Sequence, residues 1–293
     1  MKKVGQFFFT FVPFLLVMAI QFLAMFFLMG VSALIEGSWY TTSGNDSFIA
    51  IFDDFTYLWS SQNFNTGVML VYSLLTTAIF GIWYYARYDG DYLPAPKTVF
   101  HPLTFLGILM LVPGMQYLCT YIVNLVAAIF PQWLETYMEL LEAAGLDETI
   151  TFGMLIYSVL LAPVCEELVF RGITMRQAKK FLPFWAANIF QAFLFGAFHM
   201  NMMQGVYTFC VGLVLGIICE KSGSIYNAIF YHMLFNFWGT VLSQYLYIGE
   251  SDFAFFFWFI FALAMTLGGL LVFAAGTRRA RKHSMEAASS EYQ

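Results

Sequence analysis

Charge is what this chain most conspicuously lacks. Only 11% of its 293 residues are Asp, Glu, Lys or Arg, against about 25% in ordinary soluble domains, while 60% are hydrophobic and 20% aromatic. That balance excludes a soluble globular domain. The net charge of -5 and the absence of a basic cluster away from membrane-flanking positions exclude a nucleic-acid partner. Cysteine is scarce as well: Cys119, Cys165, Cys210 and Cys219 all fall in apolar stretches and none in a loop, so a disulfide framework is excluded and each reads as a small buried residue. There is no His-Glu-x-x-His run, the usual sequence mark of a zinc hydrolase, and no low-complexity segment.

What the chain does have is long apolar runs. Stretches of about 20 apolar residues suffice to cross a bilayer, and eight occur: 6–35, 66–86, 100–130, 151–170 or somewhat beyond, 181–199, 204–219, 224–245 and 253–276. The expected fold class is therefore all-α, a polytopic membrane protein of about eight transmembrane helices. The first run follows Lys2-Lys3 like a signal peptide but is too long for one, so it reads as a retained span. If the eight spans alternate, every lysine and arginine except Arg171 falls on one side, and acids such as Glu36, Asp46, Asp53, Asp54, Glu135, Asp147, Glu148 and Glu250 fall on the other. The excess of basic residues marks the cytoplasmic side, so an integral multi-pass cell-membrane protein with both termini cytoplasmic is expected. Residues 131–145 form an amphipathic pattern with Trp133, Tyr137 and Leu141 on one stripe, and 48–59 sets Asp53-Asp54 among aromatics; both suit interfacial anchors better than lids over a substrate.

Against this background a few polar groups stand out. An ionisable side chain at mid-bilayer costs roughly 2.5–3.5 kcal/mol on insertion scales, so several of them in consecutive spans mark a working site. Glu167 and Arg171 are four apart, on one helix face and in the favourable order for an ion pair, while Glu166 points about 100° away. Pro163 lacks an amide hydrogen, which frees the carbonyl of Val159 in an α-helical register and opens a place for water. His199 ends one span, and His232 and Asn236 share a face of another. With about 1.5 Å of rise per residue, Glu166 lies about 21 Å, His199 about 26 Å, His232 about 15 Å and Asn236 about 21 Å deep, so they can meet. The fourth span must then continue past Arg171 to roughly Lys179.

Such a set suits amide hydrolysis: Glu166 and His199 activate a water, His232 and Asn236 donate to the developing oxyanion, and Glu167 with Arg171 positions the group, a purely structural ion pair being the competing reading for those two. No cofactor is expected; zinc held by Glu166, His199 and His232 is the rival arrangement. Gly212 and Gly216 read as close helix contacts, and Asn188 and Gln191 as interhelical hydrogen-bonders.

At these residues the chain resembles the CAAX protease and bacteriocin-processing family, the intramembrane glutamic endopeptidases related to the type II CAAX prenyl endopeptidase. The resemblance rests on Ala-Pro-Val-Cys-Glu-Glu-Leu-Val-Phe-Arg-Gly at 162–172, Phe195 to His199, Gly212 with Gly216, Ser222-Gly-Ser, and His232 to Asn236. It implies a glutamate at Glu166 paired with His199, donors at His232 and Asn236, a conical or bundle-like intramembrane cavity and no obligatory metal. The partners it implies are the bilayer and a membrane-associated peptide or protein, prenylated in some relatives and tied to bacteriocin processing or immunity in others. The domains expected are 1–150, N-terminal spans and outer loops; 151–245, the protease core; and 246–293, the last span and a basic tail. An intramembrane endopeptidase is the leading reading. The alternatives are a catalytically idle binding or immunity protein of the same fold, and a proton-coupled transporter, which lacks support from any inverted repeat.

Overall fold

A computed structural model describes residues 5, 7–43, 48–88, 101–143, 150–242 and 251–290. Lys2, Lys3, Asp46, Lys97, Asp147, Glu148 and Glu250, used above to assign sidedness, lie outside the described residues, as does the expected boundary at 245. Ten helices follow one another, with no strand among the described residues: α1 (Val12–Ser43), α2 (Phe48–Ser60), α3 (Gln62–Tyr88), α4 (Pro102–Ile129), α5 (Pro131–Ala143), α6 (Phe152–Ala178), α7 (Phe184–Phe198), α8 (Met202–Ser222), α9 (Ile225–Phe237) and α10 (Asp252–Ser290). The all-α expectation holds. Six of the eight expected spans are helices long and apolar enough to cross a membrane. The fifth, α7, has 15 residues. The seventh is the 13-residue α9, continued by a π turn over Trp238–Leu242.

Local chemistry sets the helix ends. The His101 side chain accepts from the Leu103 amide ahead of Pro102, and Thr151, Asn201 and Ser224 cap α6, α8 and α9 in the same way, each satisfying an amide that has no partner inside its helix. Gly223, at φ 69°, closes α8 in the left-handed conformation that glycine adopts without strain. The Ser222-Gly-Ser run thus ends one span and starts the next. α2 lies against α1 through Trp59 Nε1, which donates to Ser32 Oγ at 2.9 Å, and through the Tyr40 hydroxyl and Asp54.

Small residues let the spans approach. α4 packs along α10, where a Cβ at Gly107 would sit 2.5 Å from the Phe273 amide nitrogen and one at Gly276 would sit 2.5 Å from that of Thr104. The expectation for Gly212 and Gly216 also holds, since a Cβ at Gly212 would sit 3.1 Å from Ala192 Cα and one at Gly216 would collide with the side chain of Asn188 and crowd that of Gln191. With no water to expel between helices in lipid, van der Waals contact of this kind supplies much of the association energy. Replacing Gly107 by Val should therefore cost about 1–3 kcal/mol, because the obstructing atoms are backbone and cannot rotate away. The thermal unfolding midpoint in detergent should fall for Gly107→Val and hold or rise for Gly81→Ala, which has open space around it.

Candidate active site

The site begins with a departure from α-helical register. α6 is one continuous helix from Phe152 to Ala178, reaching the depth that burial of Arg171 requires, but it carries π segments at Tyr157–Leu161 and Leu168–Met175, on either side of the glutamate pair. In the first, the Ala162 amide donates to the Tyr157 carbonyl five residues back. The next rung would join Pro163 to the Ser158 carbonyl, and proline has no hydrogen to give. The freed carbonyl is thus Ser158, not Val159 as an α-helical register predicts. Asn236 Nδ2 donates to it at 2.8 Å. Asn236 was expected to face a substrate oxyanion; one of its amide hydrogens instead holds α9 against the loosened turn of α6.

Glu167 and Arg171 are both 0% exposed and form the expected pair, with Arg171 Nη1 2.7 Å from Glu167 Oε1. The guanidinium has further support: Nη2 donates to the Gly212 carbonyl at 3.2 Å, and the plane sits 4.4 Å from the centroid of Phe195. Gln191 Nε2 reaches the same carbonyl at 2.9 Å and Asn188 Oδ1 at 2.7 Å, while Asn188 Nδ2 donates to Leu213 O. One polar network therefore joins α6, α7 and α8, and the interhelical reading of Asn188 and Gln191 is the one observed.

His232 lies on the carboxylates. Its Nδ1 is 2.9 Å from Glu167 Oε1, and its Nε2 is 3.7 Å from Glu166 Oε2. Glu167 Oε1 thus receives both Arg171 and His232, and the imidazole stands between the two glutamates, a different place from the oxyanion side expected of it. His199 caps α7, its Nδ1 2.8 Å from the Phe195 carbonyl. That oxygen can only accept, so Nδ1 carries the hydrogen and Nε2 is left as an acceptor. The Phe195 ring meets His199 edge-on at 5.0 Å and His232 at 5.9 Å, fixing both imidazoles and the guanidinium from one position.

Glu166, His199, His232 and Asn236 all line one cavity of about 630 Å³. Glu167 and Arg171 stand behind its wall. Part of its wall comes from residues outside the motifs: Gln21 in α1, Tyr72 in α3, Gln116 in α4 and Tyr137 in α5. Gln116 Nε2 donates to the Phe235 carbonyl at 2.6 Å, and Tyr137 and Tyr207 both line the cavity. α5 is therefore part of the cavity wall as well as an amphipathic segment. A glutamine within an apolar span was a legible signal for Gln21 and Gln116. Among the described residues no group of three or more His, Cys, Asp and Glu side chains is arranged to hold a metal ion.

Residues 148–238 match the type II CAAX prenyl endopeptidase Rce1-like family. The resemblance drawn from residues 151–245 holds for this region, and the family matched is one of CAAX-type proteases, which supports peptidase activity. Comparison with curated proteins found no match, and comparison with solved structures found none.

The Rce1-like region carries every charged or imidazole group of the site, and the ion pair is its least replaceable part. Arg171→Met alone should cost about 3–5 kcal/mol, since it leaves Glu167 without its counter-charge in an apolar interior. Arg171→Met combined with Glu167→Gln should recover much of that loss. Chemical unfolding of the four members of this cycle checks it, and additive losses would contradict the coupling.

Proposed function

We propose that this chain is an integral membrane endopeptidase that hydrolyses a peptide bond of a membrane-associated substrate with a water activated by Glu166. The observation that carries the reading is the state of Glu166: 6% exposed, facing the cavity, and with His232 Nε2 3.7 Å from its Oε2. A carboxylate kept out of the neighbouring ion pair has a free lone pair for a proton. That is what a general base needs.

In this reading Glu166 takes a proton from a water whose second hydrogen rests on His199 Nε2, and the water oxygen attacks the scissile carbonyl carbon. The bond from that carbon to nitrogen then breaks, and the nitrogen leaves with the water's proton returned by Glu166, either directly or relayed through His232 Nε2. His232 is suited to this delivery because Glu167 holds its Nδ1 hydrogen and so sets the ring's orientation, an arrangement in which a carboxylate steers an imidazole. Glu167 and Arg171 position His232 without touching the substrate. Asn236 keeps the π turn open and has a second amide hydrogen for the oxyanion. Side chains suffice for each of these steps, so metal-independent chemistry of the glutamic type is preferred. Cytoplasmic placement of both termini, and a lipidated substrate, belong to the same proposal.

Glu166→Gln preserves shape and removes the base. It should lower turnover about a hundred- to ten-thousand-fold with protein abundance and unfolding midpoint unchanged. The measurement is the membrane peptidome of cells carrying the parent or the variant, together with cleavage of a peptide so identified by purified, chelator-treated protein. An undiminished Glu166→Gln variant would reject the peptidase in favour of a binding protein, and activity lost to chelation and restored by zinc would reject the metal-free route.

A further inference from the structure

A second cavity of about 460 Å³ shares no lining residue with the first. Three parts of the chain form it: Phe9, ahead of α1; Trp83 and Arg87, in the last turns of α3; and Gln177 and Lys180, at the end of α6 and in the turn beyond it. Its two cations differ from their neighbours. Arg171 is paired with Glu167, Lys179 Nζ lies 2.5 Å from Glu220 Oε2, and Arg176 donates to the Tyr84 hydroxyl at 3.0 Å. Arg87 and Lys180 make no ion pair and no side-chain hydrogen bond among the described residues; Lys180 Nζ lies only 5.9 Å from the centroid of the Tyr88 ring. Gln177, 7% exposed and turned to the same cavity, likewise has an amide without a hydrogen-bonding partner among the described residues.

Arg87 and Lys180 are exposed like charges with no ion-pair partner among the described residues, and with the Gln177 amide they surround one space that an anion would complete. We propose that this cavity binds the phosphate of an anionic phospholipid headgroup. Both cations stand where membrane spans end, the level at which headgroups lie, and a basic pocket between spans is a recognised way of holding them. Arg87 and Lys180 supply charge-assisted donors to the phosphate oxygens, and Gln177 supplies a neutral one. Trp83 makes the other half of the site: it is half-buried, stacked on Phe80 at 5.7 Å and met edge-on by Phe9 at 6.0 Å. It gives an apolar wall beside the charges where the glycerol and the first acyl carbons would lie. A free phosphate ion would use the charges and leave that wall idle. The site stands whether or not the first cavity is catalytic.

The test uses full-length protein, delipidated in detergent and titrated with phosphatidylglycerol, phosphatidylcholine or inorganic phosphate while the unfolding midpoint is followed. Phosphatidylglycerol should raise the midpoint saturably and the other two should not. With each cation contributing the usual increment of a basic residue near anionic lipid, Lys180→Gln should weaken the apparent affinity about fivefold and Arg87→Gln/Lys180→Gln about thirtyfold. The pair Arg278→Gln/Arg279→Gln, equally exposed but not lining this cavity, should leave it unchanged and so separates a site from general attraction. An equal response to phosphatidylcholine, an unchanged affinity in the Lys180 and double variants, or an equal loss in the Arg278/Arg279 control would each overturn the proposal. A full response to inorganic phosphate would replace the lipid with a free anion and overturn it too.

Discussion

The fully buried contact between Arg171 and Glu167 is the constraint around which this molecule is arranged. In lipid neither charge is tolerable alone, and even paired they recover their desolvation cost only when the remaining donors and acceptors are used. The chain meets that demand with the Gly212 carbonyl, the face of Phe195 and His232 Nδ1. Each partner comes from a different helix, so satisfying one guanidinium and one carboxylate also sets how α6, α7, α8 and α9 lie against one another. It accounts for the glycines as well. A side chain at Gly212 would meet Ala192 Cα and push α8 away from α7, and with it the carbonyl that Arg171 needs.

Glu166 gains its distinctness from its neighbour. Adjacent carboxylates on one helix would ordinarily repel each other in a low-dielectric interior. Here Glu167 is committed to Arg171 and His232, and Glu166 is turned to the cavity with only a 3.7 Å approach from the far side of the same imidazole. His232 therefore senses both glutamates through its two nitrogens. The π turn at Tyr157–Leu161 completes the arrangement: it is the local price of Pro163, and Asn236 uses the carbonyl so released to tie α9 to α6.

Periodicity and composition made the spans legible, because a bilayer demands length and apolarity above all else. The same reasoning separated Glu167 and Arg171 from Glu166, since a four-residue spacing on a helix is geometry, and it required α6 to run on to about Lys179. Two things escaped it. The π register shifted the orphan carbonyl from Val159 to Ser158, and nothing in a sequence read as a regular helix announces that shift. The contacts of His232 with both glutamates also escaped it, because which nitrogen faces which partner depends on the rotation of α9 about its axis. Gln21 and Gln116 were visible as polar residues within spans, but they carry no charge and lie far along the chain from the motifs.

That distance has a chemical meaning. The matched region, 148–238, contains both glutamates, both imidazoles and Asn236, yet α1, α3, α4 and α5 also line the cavity. The two stretches are tied together directly. Gln116 donates to the Phe235 carbonyl one residue before Asn236, and the Tyr72 hydroxyl lies 3.4 Å from Cys165 Sγ, beside Glu166. The cavity presents both Glu166 and side chains from the first 143 residues. The matched stretch thus supplies the ionisable groups and much of the cavity wall, and the first 143 residues supply the rest of that wall. Because activity belongs to a site and not to a fold, the residues that match the family set what chemistry is available, and Gln21, Tyr72, Gln116 and Tyr137 help set the space in which it acts.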